Sequence, residues 1–380
     1  MSKQRKHSIF GYLFILFVSP FLFLLVLVPK AQSKEKVEVQ QKRAVLLFVG
    51  DLMGHLPQLN SAKTDSGYNF SPVYSYVESY ISNADFSIGN LETVLAGKER
   101  GFSGYPMFNS PDEYAHALKE VGFDMLMTIN NHSIDQGVFG IKETIKKLNT
   151  LGMPYEGTFA SPQDADSIRI FSINGIRIAF VGFSYGLNGN MLPEEYKYAT
   201  ALIDTTLIKQ KIQRAKALSP DAIITYFHFG QEYKRIENEF QRSIVKVAIA
   251  SGSDVVWASH PHVLQPIEWY KSGNDSIPVA YSLGNFISNQ RDRYTDTGAM
   301  LCLTIDKDTT TRVSKVSVIP TWVFKGLINN KTEYRILPLN DTTSFNHSFL
   351  TPSDSKRIRE AYKESIEILN KRGAFVGASK

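Results

Sequence analysis

From residue 44 onward, short continuous apolar runs alternate with segments of helical period, and the runs end in polar turns. Ala44–Val49 (AVLLFV) predicts a buried strand ending in Gly50-Asp51, and Asp85–Gly89 a strand ending at Asn90-Leu91-Glu92. Phe123–Ile129 (FDMLMTI) predicts a third strand, which runs into the polar turn Thr128–Gly137 (TINNHSIDQG); Val138–Leu148 then returns to helical period. Between these strands, Pro72–Ile81 reads as one short helix. Ser110-Pro111-Asp112-Glu113 opens another, with proline at the first position and acids in the first turn, and Gly122 stops it.

The second half repeats the pattern. Ile168–Ile173 and Ile176–Phe183 flank Asn174-Gly175, a hairpin signal. A helix over Asp204–Leu218 precedes the strand Ala222–Phe227, which ends at His228. A helix over Glu239–Ser251 precedes Asp254–Ala258, which ends at His260-Pro261-His262. Pro278–Leu283 predicts a strand ending at Gly284-Asn285-Phe286; Ala299–Ile305 and Val313–Val323 read as antiparallel strands, and Ser353–Lys371 as an amphipathic terminal helix. Strands joined by helices imply a layered α/β domain with antiparallel additions, here residues 44–345, with 346–380 as a C-terminal helix packing on or trailing it.

Charge changes the picture at one end only. Residues 1–43 hold eight Lys/Arg against two Asp/Glu, a net +6, so with +5 for the whole chain the remaining residues carry −1. The basic balance belongs to the tail, and charge gives no case for nucleic-acid binding. In that tail Lys3, Arg5 and Lys6 precede Ile9–Val28, twenty residues without a charge. That length crosses a bilayer as a helix. Residues 1–30 therefore read as an uncleaved single-pass anchor or a signal segment, and 31–43 as a linker. Ala31-Gln32-Ser33 would be the cleavage site in the second case, giving a secreted or periplasmic protein. Either reading places the domain outside the cytoplasm. The single cysteine, Cys302, lies in an apolar run and reads as a packed thiol.

The candidate chemistry lies where the strands end. Five of the eight histidines fall in these turns: His55, His132, His228, His260 and His262; His7, His116 and His347 lack such context. In open α/β sheets the carboxyl ends of the strands are where ligands bind. Imidazole, carboxylate and amide oxygen suit a divalent ion such as zinc, manganese or iron, and two ions can share a carboxylate and activate a water between them. Glu92 is the candidate bridge. Asp51 and His262 would serve one ion, Asn131, His228 and His260 the other, with His55 a further candidate. His132 suits protonation of a leaving oxygen, with Asp135 orienting it. Asn90, Asn130, Asn285 and Glu232 are candidates for binding substrate or supporting a ligand.

Six motifs in order carry a family resemblance: Gly50-Asp51; Gly89-Asn90-Leu91-Glu92; Asn130-Asn131-His132 with Asp135 and Gly137; His228-Phe229-Gly230-Gln231-Glu232-Tyr233; His260-Pro261-His262; and Ser282-Leu283-Gly284-Asn285-Phe286. The chain resembles the CapA family of capsule (poly-γ-glutamate) biosynthesis proteins, similar to calcineurin-like metallophosphatases, over about residues 44–290. The resemblance implies a four-layered α-β-β-α sandwich with mixed sheets and the site at the strand ends. It also implies a role in making or exporting an anionic surface polymer such as poly-γ-glutamate, beside other capsule-synthesis membrane proteins. Three positions depart from the usual metallophosphatase pattern: Met53 stands where Asp-x-His has its histidine, Glu92 where the bridge is Asp, and Ser259 where Gly opens the Gly-His-x-His turn. One ion or two therefore both stay open. So do two functions, a metal-dependent hydrolase of phosphoesterase type and a non-catalytic protein that grips the polymer during export. A purely structural envelope protein would require the histidine turns to be scattered in space.

Overall fold

In the computed structural model the described residues are 41–273, 275–340 and 345–373. The anchor or signal segment read at Ile9–Val28 lies outside them. Among the described residues no helix is long and apolar enough to cross a membrane.

The chain order is β1 (Lys42–Met53), α1 (Leu56–Ala62), α2 (Ser71–Tyr74), α3 (Glu78–Ser82), β2 (Phe86–Glu92), α4 (Asp112–Glu120), β3 (Met125–Met127), α5 (Gly137–Leu151), β4 (Tyr155–Glu156), α6 (Pro162–Asp166), β5 (Arg169–Ile173) and β6 (Ile176–Ser184). It continues with α7 (Thr205–Ala217), β7 (Ala222–His228), α8 (Glu239–Ser251), β8 (Val255–Ser259), β9 (Ile267–Ser272), β10 (Asp275–Ala280), β11 (Asn285–Ile287), β12 (Thr297–Lys307), β13 (Thr311–Ile328), β14 (Lys331–Pro338) and α9 (Pro352–Leu369).

Two mixed sheets result. One has the order β14-β13-β12-β1-β2-β3-β4, with β11 also paired to β1; the other has the order β5-β6-β7-β8-β10-β9. The strands that need a crossover, β1 to β4 and β6 to β8, are parallel, whereas the hairpin partners are antiparallel. Asn174 and Gly175 both take positive φ at the β5–β6 turn, the conformation that a two-residue hairpin requires.

Alternation along the strands sorts side chains into layers. Leu46 and Phe48 face the second sheet and pack with Ile178, Phe180, Tyr226 and Trp257; Phe48 and Trp257 lie 5.2 Å apart, ring centre to ring centre. Leu47 and Val49 face the other way, onto the helices that include α4 and α5, through Leu118, Ile141 and Ile145. Val181, Phe183 and Phe227 of the second sheet meet α7 and α8 through Ile208, Ile212, Val245 and Ala248. The outcome is helices, sheet, sheet, helices: the α-β-β-α sandwich. The terminal helix belongs to this body, since Ile358 and Ala361 pack on Trp322, Phe324, Leu337 and Leu339.

The expected helix over Pro72–Ile81 is two short ones. Ser75 turns its hydroxyl back onto the Pro72 carbonyl (3.0 Å), a local bond that competes with helix continuation, and α3 restarts at Glu78. The strand read as Pro278–Leu283 is β10, shifted toward the amino end. Strand β14 carries three charges in its eight residues and gave no apolar run to read.

One close approach fixes the end of β1. The Asp51 N–H donates to the Gly284 carbonyl (2.9 Å), and a Cβ on Gly50 would stand 1.9 Å from that same oxygen. Only glycine lets the two backbones meet there. Gly50→Ala is therefore expected to lower unfolding stability by about 1–3 kcal/mol through overpacking and to weaken divalent-metal binding as well. Chemical denaturation and metal titration of the same variant check both effects.

Candidate metal centre

Two rows of side chains, one from each sheet, meet at the carboxyl ends of the parallel strands. In the first sheet Asn285, Asp51 and Asn90 lie abreast on β11, β1 and β2, and Glu92 follows, opposite Met53. In the second, Ser184, His228 and Ser259 lie abreast on β6, β7 and β8. β1 reaches this register through an irregularity between Phe48 and Asp51, which re-aims the strand end.

Hydrogen bonds knit the rows together. The Asn90 amide donates to Asp51 Oδ1 (2.9 Å) and Glu92 Oε2 (3.1 Å), and its oxygen accepts from Asn130 Nδ2 (3.1 Å). His262 Nδ1 lies 3.0 Å from Asp51 Oδ2 and 3.1 Å from Asn285 Oδ1. His228 Nε2 lies 2.6 Å from Asn131 Oδ1, and its Nδ1 lies 3.0 Å from the Tyr226 hydroxyl. His132 Nδ1 pairs with Asp135 Oδ2 at 2.8 Å, and that same carboxylate oxygen accepts from the Phe108 N–H (2.7 Å).

Asp51, Glu92 and His228 are fully buried and each offers one ligand atom, all within 4.8 Å of one another. Glu92 Oε1 has no hydrogen-bond partner, although it is buried. It lies 3.6 Å from His228 Nε2 and 3.8 Å from His262 Nε2. A buried carboxylate oxygen left without a donor is costly. Here two ring nitrogens stand beside it. A divalent cation fits that donor set, with nitrogen and oxygen ligands and no thiolate.

The protonation states agree with a cation site. Burial raises the Asp51 carboxyl, but the hydrogen bond and charge of His262, with the Asn90 amide, more than offset this and hold Asp51 below its ordinary range. Burial first, and then the Asp51 charge, pushes Glu92 well above its ordinary range. Burial and the other imidazoles hold His228 well below the ordinary histidine value. Burial, with His262, lowers His260 to about 3 despite Asp51. Neutral imidazoles are the form that ligates.

His260 and His262 take positive φ (105° and 57°) on either side of Pro261. Such backbone is strained for non-glycine residues and persists where the surroundings enforce it, typically at functional sites. It brings the His260 ring to 4.9 Å from His228, centre to centre.

Other expected residues take different places. His55 caps α1, with Nδ1 3.2 Å from Gln58 Oε1, and packs edge-on to Phe108 (5.1 Å); burial lowers it to about 4. Its ring serves the helix start and does not join the Asp51–Glu92–His228 group. Asn130, Asn90 and Asn285 are buried, with amides engaged inside the protein: Asn130 on Leu91 O and Asn90, Asn285 on Gln290 and Thr295. These bonds orient neighbouring groups. Glu232 is exposed on the rim, beside Tyr233, and no bond from it to a site imidazole is seen among the described residues. His116 is exposed as read, but His347 is half-buried against Tyr76 and Phe349.

Sequence reasoning missed two partners. Tyr226 lies two residues before His228 on the same strand face, a signal that was available. Asn188, in the loop after β6, accepts from Asn131 Nδ2 (2.9 Å), and its own Nδ2 lies 3.4 Å from His132 Nε2. Nothing in the glycine-bearing stretch Tyr185–Asn190 marks it.

Fold and site together define the class: an α-β-β-α sandwich whose carboxylates, imidazoles and amides converge on a metal-capable group at the strand ends. Within it, the chain belongs to the family described as bacterial capsule synthesis protein PGA_cap, which matches residues 45–290. It is 27% identical over 349 residues to the capsule biosynthesis protein CapA of Bacillus anthracis, spanning 88% of this chain and 82% of that one. It is also 27% identical over 357 residues to the PGA biosynthesis protein CapA of Bacillus subtilis (strain 168), spanning 89% of each. Among solved structures it is similar to a putative 5'-nucleotidase from Staphylococcus aureus, with TM-score 0.47, 14% identity and 85% of this chain covered, but spans only 58% of that protein. It is similar too to the calcineurin-like phosphoesterase YfkN from Bacillus subtilis, with TM-score 0.44, 13% identity, and 86% and 98% of the two chains covered.

Two measurements test the centre. Burial and the Asp51 charge hold the Glu92 carboxyl well above its ordinary range, and a ligand carboxylate must be deprotonated. Metal uptake at neutral pH is therefore expected to release protons and to weaken as pH falls, as checked by calorimetry in buffers of different ionisation enthalpy. Glu92→Gln is expected to abolish tight divalent binding while leaving the thermal midpoint unchanged or raised, since it removes a buried acid but keeps its shape. Metal analysis and thermal unfolding of that variant check this.

Proposed function

We propose that this protein is an extracytoplasmic, metal-dependent hydrolase of phosphoesterase type. It acts in capsule or poly-γ-glutamate biosynthesis, on an anionic surface polymer or its carrier. The observation that carries the reading is the buried Glu92 Oε1, without a hydrogen-bond partner, 3.6 Å from His228 Nε2 and 3.8 Å from His262 Nε2.

Asp51, Glu92 and His228 would hold a divalent ion, with Asn131, His260 and His262 close enough to complete one site or build a second. When bound, the ion supplies Lewis acidity and a water acidic enough to attack at neutral pH. The chain's own residues do the rest. Asn90 spaces the two carboxylates. Tyr226 and Asn285 hold the Nδ1 sides of His228 and His262, and so keep each Nε2 turned toward Glu92. Asp135 accepts from His132 Nδ1, which leaves Nε2 as the nitrogen that passes a proton to a departing oxygen. Lys3, Arg5 and Lys6 ahead of Ile9–Val28 support a single-pass amino-terminal anchor with the domain outside, where neighbouring capsule-synthesis membrane proteins would deliver the polymer.

The test is metal content of the purified protein, then turnover of phosphodiester and γ-glutamyl substrates. His132→Ala is expected to keep the metal and to lower kcat by about 10²–10⁴-fold, the usual contribution of a positioned acid. Polymer affinity without turnover of either substrate by the metal-loaded wild type would replace this reading with that of a carrier protein.

A further inference from the structure

Asn131 differs from the carboxylates of the centre in having two unlike ends. Its oxygen can hold a cation, whereas the amide nitrogen, half a turn away, is only a donor. A carboxylate presents an oxygen whichever way it turns. The Asn131 oxygen lies 2.6 Å from His228 Nε2, and the residue is 1% exposed. Whatever fixes the rotation of that amide is therefore a condition of the site. Among the described residues, the acceptor that Asn131 Nδ2 meets is Asn188 Oδ1, at 2.9 Å.

Asn188 comes from the other sheet, in the loop that follows β6, and the loop is tied down on both sides. The Tyr185 N–H donates to the His228 carbonyl (2.9 Å), and Ser184 Oγ donates to the Gly186 carbonyl (2.9 Å). Leu187 is buried in the apolar cluster that α4 and α5 share with the first sheet. Asn188 itself takes a φ of 53°, left-handed backbone that asparagine tolerates better than most residues. Its Oδ1 also lies 3.4 Å from the Tyr185 hydroxyl. Two donors thus meet that oxygen and set which end of Asn188 faces Asn131. The nitrogen end lies 3.4 Å from His132 Nε2 and 3.5 Å from its Nδ1. Being nearly equidistant, it braces the ring and does not serve one nitrogen. One exposed loop residue therefore touches both members of the buried Asn131-His132 pair.

We infer that Asn188 is a positioning residue, which holds the Asn131 amide with its oxygen toward the metal centre. The inference rests on the reading of Asn131 as a ligand in the proposed hydrolase. It adds a dependence that none of the strand-end motifs contains: a loop of the second sheet decides whether a first-sheet amide offers a cation an oxygen or an N–H. If Asn188 acts in this way, it loses its purpose once residue 131 has no orientation to choose.

The test is divalent binding by the full chain, titrated from the metal-free state with Mn²⁺ and, separately, with Zn²⁺. Asn188→Gly suits the left-handed backbone. It is expected to weaken the tighter of the two ions by about 10–100-fold, the usual cost of losing a group that orients a ligand. The thermal midpoint of the metal-free protein should change little. In an Asn131→Asp background, where either oxygen can ligate, the same glycine is expected to leave affinity within about twofold, as for independent sites. Should the added buried charge prevent folding, Asn131→Ala supplies the same comparison. Wild-type affinity in Asn188→Gly, or an equal loss in both backgrounds, overturns the inference and leaves the hydrolase reading standing. Metal uptake that depends on Asn188 in a protein without turnover overturns the hydrolase reading and leaves the inference standing. A wild type that takes up neither ion removes both.

Discussion

Two carboxylates, Asp51 and Glu92, are buried side by side at the ends of adjacent parallel strands, bridged by one amide from Asn90. Left to themselves they repel, and the dry surroundings make that repulsion severe. Much around them answers this constraint. His262 offsets Asp51, burial and the Asp51 charge raise the Glu92 carboxyl, and three further amides keep the neighbouring polar groups in bonded positions. A fold under selection for stability alone would have replaced the pair with apolar residues. The arrangement makes sense as a vessel for positive charge.

The layers and most elements were legible in the sequence because the strands are buried on both faces and read as unbroken apolar runs. The hairpin at Asn174-Gly175 and the helices α7 and α8 follow directly from turn chemistry and period. What escaped were elements whose burial depends on partners distant in the chain: the short β11, which exists by pairing with β1, and the charged β14. The helix break at Ser75 escaped because its cause is one hydroxyl finding a carbonyl, which no periodicity records.

At the site, strand ends located residues that the fold brings together but not their duties. Asp51, Glu92, His132, His228, His260 and His262 were picked out by residue type and position, and the fold gathers them in one place. The amides were harder. Asn90, Asn130, Asn131 and Asn285 look alike in sequence, and only the hydrogen-bond pattern shows that Asn131 and Asn285 turn their oxygens to His228 and His262 while Asn130 holds Asn90 and Leu91. His55 illustrates the reverse: the right residue type near the right strand, diverted to start a helix. Asn188 lies in a loop whose place over the centre is decided by the second sheet, far from any motif.

The carboxylate row belongs to one sheet and the His228 row to the other, with the Leu283-Gly284 backbone bonded to Ala258 on one side and to Ala299 and Asp51 on the other. The spacing between Glu92 and His228 is therefore a gauge of how the two layers are seated, set by contacts such as Phe48 on Trp257 well below the mouth. Slippage of a few tenths of an ångström along that seam would detune the ligands without touching them. Sequence drift in the middle of the sandwich can thus adjust chemistry at its edge, a route by which relatives with unchanged motifs could diverge in metal preference.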